Sequence, residues 1–260
     1  MIKSVKVNNS EMEYLSFGTG DKILVIIPGL SLKSVLLSEE AIIASFAIFV
    51  KDFTIYLFDR IKDIPDNYSI ENMAEDTYNA MINLWIKSCN LYWASQWWMI
   101  AQCIAIQHQD FVEKMVLWST TFKTKSNALR KFSERIELAK LNKISELNKN
   151  FLNNVYCKDT IKDFWEIILN SNADINDKEK GKFIKLSFSL LNFDIEEQVH
   201  NIKCKTLVIW SNNDGIFGKD SVIELANKLD CELYMYNNYG HAVYDEAPDF
   251  RKRMLDFLNN

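Results

Sequence analysis

Glycine is scarce in this chain, with 7 residues among 260, the same number as tryptophan. Average proteins carry about 7% glycine, so collagen-like repeats are excluded, and no internal repeat or low-complexity segment is present. Basic charge is lacking too. Thirty Lys and Arg against 35 Asp and Glu give a net charge of −5 and a pI near 5.4, whereas a nucleic-acid-binding surface is normally basic. The small lysine clusters, Lys3 with Lys6 and the stretch 178–185, read as solvated faces. No apolar run reaches the roughly 18 residues that span a bilayer, and residues 1–10 show neither an apolar h-region nor a small-residue cleavage site. A cytoplasmic protein without membrane contact is expected. The five cysteines (89, 103, 157, 204 and 231) are odd in number and widely spaced, with no C-x-x-C pair. Neither a disulfide framework nor a zinc site follows from them.

What is present is a core. The chain is 48% hydrophobic, 13% aromatic and 25% charged, which describes a globular protein and excludes disorder. Alternation over 11–17 (EMEYLSF) predicts an antiparallel strand. The run 22–27 (KILVII) predicts a buried one, followed by Pro28 and Gly29. A helical stretch over 39–50 leads to a strand over 53–58, ending at Asp59 and Arg60. Ser69 is placed to cap a helix over 69–87, with Met73, Tyr78, Met81, Ile82 and Trp85 at helical spacing. A strand over 90–94, a helix over 97–109 and a strand over 114–118 (KMVLW) come next. Continuous apolar strands alternating with amphipathic helices imply an α/β fold with a mostly parallel sheet covered on both faces.

Between 119 and 204 the texture is all-helical and rich in Lys and Asn, with helical stretches around 129–139, 141–151, 161–169 and 178–191. The α/β rhythm resumes with a strand over 206–210, a helix over 219–228, a strand over 232–236 and a helix over 248–258, with Pro248 in its first turn.

In such a sheet ligands bind at the carboxyl ends of the strands. Ser95 sits where the strand over 90–94 turns into a helix, Asp214 a few residues past the strand ending near Trp210, and His241 past the next strand. The chain order Ser, Asp, His, each just beyond a parallel strand, is that of a hydrolase triad. The histidine inventory supports it. His108 lies near a helix C-terminus and His200 in a polar connection, both read as solvated, and His241 alone follows a strand's carboxyl end. In this reading His241 takes the Ser95 proton, Asp214 orients the imidazole, and Ser95 attacks a carbonyl to give an acyl-enzyme.

Over nearly its whole length the chain resembles the α/β-hydrolase superfamily. The matching features are Pro28-Gly29-Leu30-Ser31, Phe58-Asp59-Arg60, Ser95, Asp214, and Gly240-His241 followed by Glu246-Ala247-Pro248-Asp249-Phe250. The resemblance implies an oxyanion hole from the backbone N–H groups of Leu30 and Gln96. It also implies a core of residues 1–119 and 202–260, and a helical cap over 120–201 that covers the site and sets substrate choice. Asp59 and Arg60 are expected to be structural.

The nucleophile elbow departs from the family pattern G-x-S-x-G. Trp93, Trp97 and Trp98 stand where that pattern and its continuation have glycine or another small residue, in a turn where flanking side chains meet neighbouring backbone. Two functions are therefore carried forward. One is a serine esterase-like hydrolase of a small ester or related acyl substrate, without metal or organic cofactor, its activity reduced by the tryptophans. The other is a non-catalytic small-molecule binding protein on the same fold, with those indoles lining the old site.

Overall fold

The computed structural model describes residues 1–93, 98–172 and 174–260. Eight strands form one sheet in the order β1-β2-β4-β3-β5-β6-β7-β8: β1 Lys3–Val7, β2 Ser10–Phe17, β3 Lys22–Ile27, β4 Phe53–Ile61, β5 Cys89–Trp93, β6 Val112–Trp118, β7 Lys205–Ser211 and β8 Glu232–Tyr236. β2 runs antiparallel to both β1 and β4, and every pair from β4 across to β8 is parallel.

The central strands are apolar without alternation because both sheet faces are covered. Leu24 to Ile27 in β3 and Met115 to Trp118 in β6 are all at most 3% exposed. Helices α1 (Glu39–Ser45), α2 (Ile70–Asn83), α3 (Trp98–Gln107), α8 (Lys219–Leu229) and α10 (Phe250–Asn259) connect or cover the strands, with a short α9 (Val243–Glu246). In α3, Met99, Ile100, Ala101, Cys103 and Ile104 are all buried, so this helix lies inside the core with no polar face to present. Ser69 caps α2 as expected, its Oγ accepting from the Asn72 N–H at 3.2 Å.

Between β6 and β7 come α4 (Ser126–Lys140), α5 (Ile144–Val155), α6 (Ile161–Ser171) and α7 (Asp177–Ser189), the helical insertion read from the sequence. The break between α4 and α5 falls at Asn142, which adopts a left-handed φ of 56°, a conformation asparagine tolerates well.

Several local expectations are corrected. β1 is an addition to the strands read from the sequence: Lys3 and Lys6 are solvated, yet Val5 and Val7 alternating with them are buried, and lysines on an edge strand deter unwanted pairing. The helix expected over 39–50 ends at Ser45, and α2 stops at Asn83. Trp85 takes φ 62° and is 90% exposed instead of packing inward. The last helix starts at Phe250, after Pro248 and Asp249 in a turn. His108 is not solvated. Its ring stacks on Tyr78 with centroids 3.4 Å apart, and Nε2 meets Glu75 at 3.0 Å.

Two glycines separate the requirements of this fold. A Cβ at Gly20 would stand 1.9 Å from the Asp52 carbonyl carbon, whereas at Gly181, inside α7, nothing lies within 4 Å. Gly20→Ala is expected to cost more than about 2 kcal/mol, and Gly181→Ala to add about 0.5–1 kcal/mol by removing a helix-interior glycine. Denaturant unfolding of the two variants checks both signs.

Candidate active site

The carboxyl ends of β7 and β8 lie side by side, Ser211 pairing with Tyr236, so the loops that follow emerge together. The Ser211 hydroxyl donates to the Tyr239 carbonyl and accepts from the Tyr239 N–H at 3.1 Å. This closes the loop after β8 onto the end of β7 and brings Asp214 against His241. Nδ1 of His241 lies 3.0 Å from both carboxylate oxygens of Asp214. The His241 side chain is 1% exposed and that of Asp214 is 0% exposed. Asp214 Oδ1 also accepts from the N–H groups of Ile216 at 2.7 Å and Phe217 at 3.0 Å. A carboxylate oxygen accepts, so Nδ1 is the donor in this contact.

Both loops are braced by the same stretch of the insertion. The Ala242 N–H donates to Val155 O at 2.9 Å. Glu246 accepts from the Gly240 N–H and reaches across to the Cys157 N–H at 2.8 Å and to the Thr160 hydroxyl. On the acid's side, Asn127 Nδ2 donates to Ile216 O at 3.0 Å. Chain and chain touch here: a Cβ at Gly240 would meet Val155 O at 2.6 Å, and one at Gly215 would meet Asn154 O at 2.7 Å. Glu246 stands in the stretch that carried the family resemblance, but its bracing role had no signal in local sequence.

Leu30 follows β3, is 8% exposed, and lines a cavity of about 410 Å³ between its own loop and helices α4 to α7. The loop is fixed from below, where buried Arg60 donates through Nη2 to Pro28 O at 3.1 Å while Asp59 Oδ1 accepts from the Arg60 N–H at 2.7 Å. Burial lowers the Arg60 pKa to about 10, so it stays charged at neutral pH. β5 runs beside β3, Trp93 pairing with Ile27. Ser95 and Gln96 lie outside the described residues, as do Trp97 and the side chains of Trp93 and Trp98. Among the described residues no group of three or more His, Cys, Asp or Glu side chains is arranged to hold a metal ion, and no helix is long and apolar enough to cross a membrane.

Two expectations follow. Asp214→Ala leaves the buried imidazole and the Ile216 and Phe217 N–H groups without their acceptor, so unfolding free energy is expected to fall by about 2–5 kcal/mol, measured by denaturant titration. Asp245, in α9 just after His241, has its carboxyl raised to about 6, desolvation of the carboxyl group outweighing the opposing charge of Arg251. Between about pH 4 and pH 6 the folded protein then holds a proton the unfolded chain has lost, so this group's contribution to stability falls as pH rises. Asp245→Asn is expected to gain on the parent as pH rises from 4 to 7, with the two converging below pH 4; thermal melts across pH test this.

No known protein-family profile matches the chain. A 2-hydroxy-6-oxo-6-phenylhexa-2,4-dienoate hydrolase of Burkholderia cepacia is 36% identical over 70 residues, 26% of this chain. The match spans about a quarter of that relative's length, 24%. Among solved structures, an α/β hydrolase enzyme from a Medee basin deep-sea metagenome library superposes with a TM-score of 0.89 at 21% identity, covering 99% of this chain and 98% of its own. The enol-lactonase of Burkholderia xenovorans LB400 does so at 0.86 and 19% identity, covering 99% and 100%. With this sheet order and these structural neighbours, the chain has the α/β-hydrolase fold.

Proposed function

We propose that the chain is a serine hydrolase of a small ester or related acyl compound, with Ser95 as nucleophile, His241 as general base and Asp214 as the residue that holds the imidazole. The observation that carries this reading is the buried Asp214–His241 pair at the carboxyl ends of adjacent parallel strands. Nε2 of His241 takes the Ser95 proton as Oγ bonds to the substrate carbonyl carbon. The carbonyl electron pair moves to oxygen, where the N–H groups of Leu30 and Gln96 stabilise it; one such donor is typically worth about 10²–10³ in rate. Collapse of this intermediate expels the leaving group, which receives the proton from the imidazolium, and leaves the acyl group on Ser95. Water then attacks, its proton going to Nε2, and the acid departs as Ser95 regains a proton. No metal or organic cofactor takes part.

The helices between β6 and β7 act as the cap, with residues 120–201 covering the acyl group and limiting the size of what enters. Relatives named as hydrolases support this class of reaction, and the 410 Å³ cavity beneath the cap suits a small molecule. A second reading, a binding protein without turnover, is favoured by Trp93, Trp97 and Trp98 in the place of the elbow's small residues.

Release of nitrophenol from a short-chain nitrophenyl ester separates the two. Turnover by the parent chain is expected to be slow, and to rise at least tenfold when the three tryptophans are replaced by glycine. Absence of turnover in both proteins supports the binding reading.

A further inference from the structure

The cavity beneath the helical insertion has apolar side chains on both sides, Leu30 and Val35 alongside Lys33 and three serines on the core side, and Leu147, Phe151 and Ile168 on the other. Into this lining α4 contributes Arg135. The residue is 2% exposed. Its Nε donates to Asn150 Oδ1 at 3.0 Å, and its guanidinium carbon lies 5.3 Å from the centre of the Phe151 ring. Those contacts use one edge and one face of the group. Nη2 is buried with no hydrogen-bond partner among the described residues, and no carboxylate there forms an ion pair with the guanidinium.

The adjacent acid, Glu134, is exposed and acts only as a distant charge, while burial lowers the Arg135 pKa to about 10. The side chain is therefore cationic at neutral pH. Close by in the same lining, Asn148 is 4% exposed; its oxygen accepts from Asn172 Nδ2 at 2.8 Å, and its own amide N–H groups are donors in that wall.

A buried charge without a counter-ion is among the costlier features a fold can carry, and proteins ordinarily neutralise it or leave it out. Here the charge lies against a cavity, its planar fork is part-occupied, and a second donor stands in the same wall. A guanidinium fork matches a carboxylate in shape and charge, forming paired hydrogen bonds that a neutral group cannot reproduce. From this geometry we propose that the cavity takes a substrate carrying a carboxylate remote from the reacting carbonyl. Arg135 pairs with that carboxylate, Asn148 donates to it, and the apolar side chains of the walls hold the chain between. The inference rests on the hydrolase reading for the identity of the reacting group, but the anion subsite is testable without turnover.

Two measurements separate the claims. In the first, kcat/KM is compared for mono-4-nitrophenyl glutarate and for neutral 4-nitrophenyl butyrate, using the chain with its three elbow tryptophans replaced by glycine. The acid ester is expected to be favoured by about 10- to 100-fold, the range for one charged hydrogen-bonded pair. The ratio should collapse to near one in Arg135→Met and be partly kept in Arg135→Lys. Equal rates for the two esters, or a preference that survives Arg135→Met, overturns the proposal. In the second, hexanoate and hexanamide are titrated into the unmodified chain by calorimetry. Hexanoate is expected to bind at least tenfold more tightly than hexanamide, and Arg135→Met to remove that difference; equal binding overturns the subsite.

Arg135-dependent hexanoate binding with no turnover of either ester upholds the subsite and rejects the hydrolase reading instead. Loss of an unpaired buried charge should leave the melting temperature of Arg135→Met at or above that of the parent, and the lysine variant provides a folded control with the charge retained.

Discussion

A buried carboxylate and imidazole, Asp214 and His241, must face each other within hydrogen-bond distance, and much of the surrounding structure is arranged to keep them there. Neither residue lies in a strand. Each is delivered by a loop, and loops alone hold such geometry poorly, because the ordering entropy must be recovered from other contacts. Recovery comes from three directions. Ser211 ties the two loops together, the Ile216 and Phe217 amides hold the carboxylate, and the C-terminal end of α5 presses on both loops at once.

That last contact gives two of the seven glycines their reason. At Gly215 and Gly240 the backbone of the insertion comes so close that a Cβ would collide with main-chain oxygens of Asn154 and Val155. The insertion thus braces these loops, because Glu246 bridges from the His241 loop to Cys157 and Thr160. A change in the packing of α5 would be felt at the imidazole. The same helices that brace the pair also wall the cavity and carry Arg135 into it. In the proposed mechanism, positioning of the Asp214–His241 pair and selection of the ligand are therefore mechanically linked.

How far the sequence reveals this differs by element. The central strands are legible because burial on both faces leaves a continuous apolar signature, as in KILVII and KMVLW. His241 is legible because only three histidines exist and only one follows a strand's carboxyl end. The edge strand β1 is not, since its lysines mask a strand with only Val5 and Val7 turned inward. Trp85 misleads for a related reason: helical spacing continues past Asn83, but the backbone turns left-handed there and the indole faces solvent. Glu246 and Arg135 carry no local mark at all. The bridging of Glu246 depends on residues 86 and more positions away, and the burial of Arg135 depends on α5 folding over an otherwise ordinary amphipathic helix. Ser95, Gln96 and Trp97 are known from sequence alone, as are the side chains of Trp93 and Trp98, and at these tryptophans the family pattern and this chain differ most.

The central claim, that Ser95 is activated by the Asp214–His241 pair, is tested most directly by covalent labelling. The unmodified chain is treated with a fluorophosphonate probe, and the adduct is located by peptide mass spectrometry. The account predicts one adduct, on Ser95, absent in Ser95→Ala and strongly slowed in His241→Ala. A folded protein that takes up no probe, or one whose Ser95 labels equally fast without His241, would contradict it.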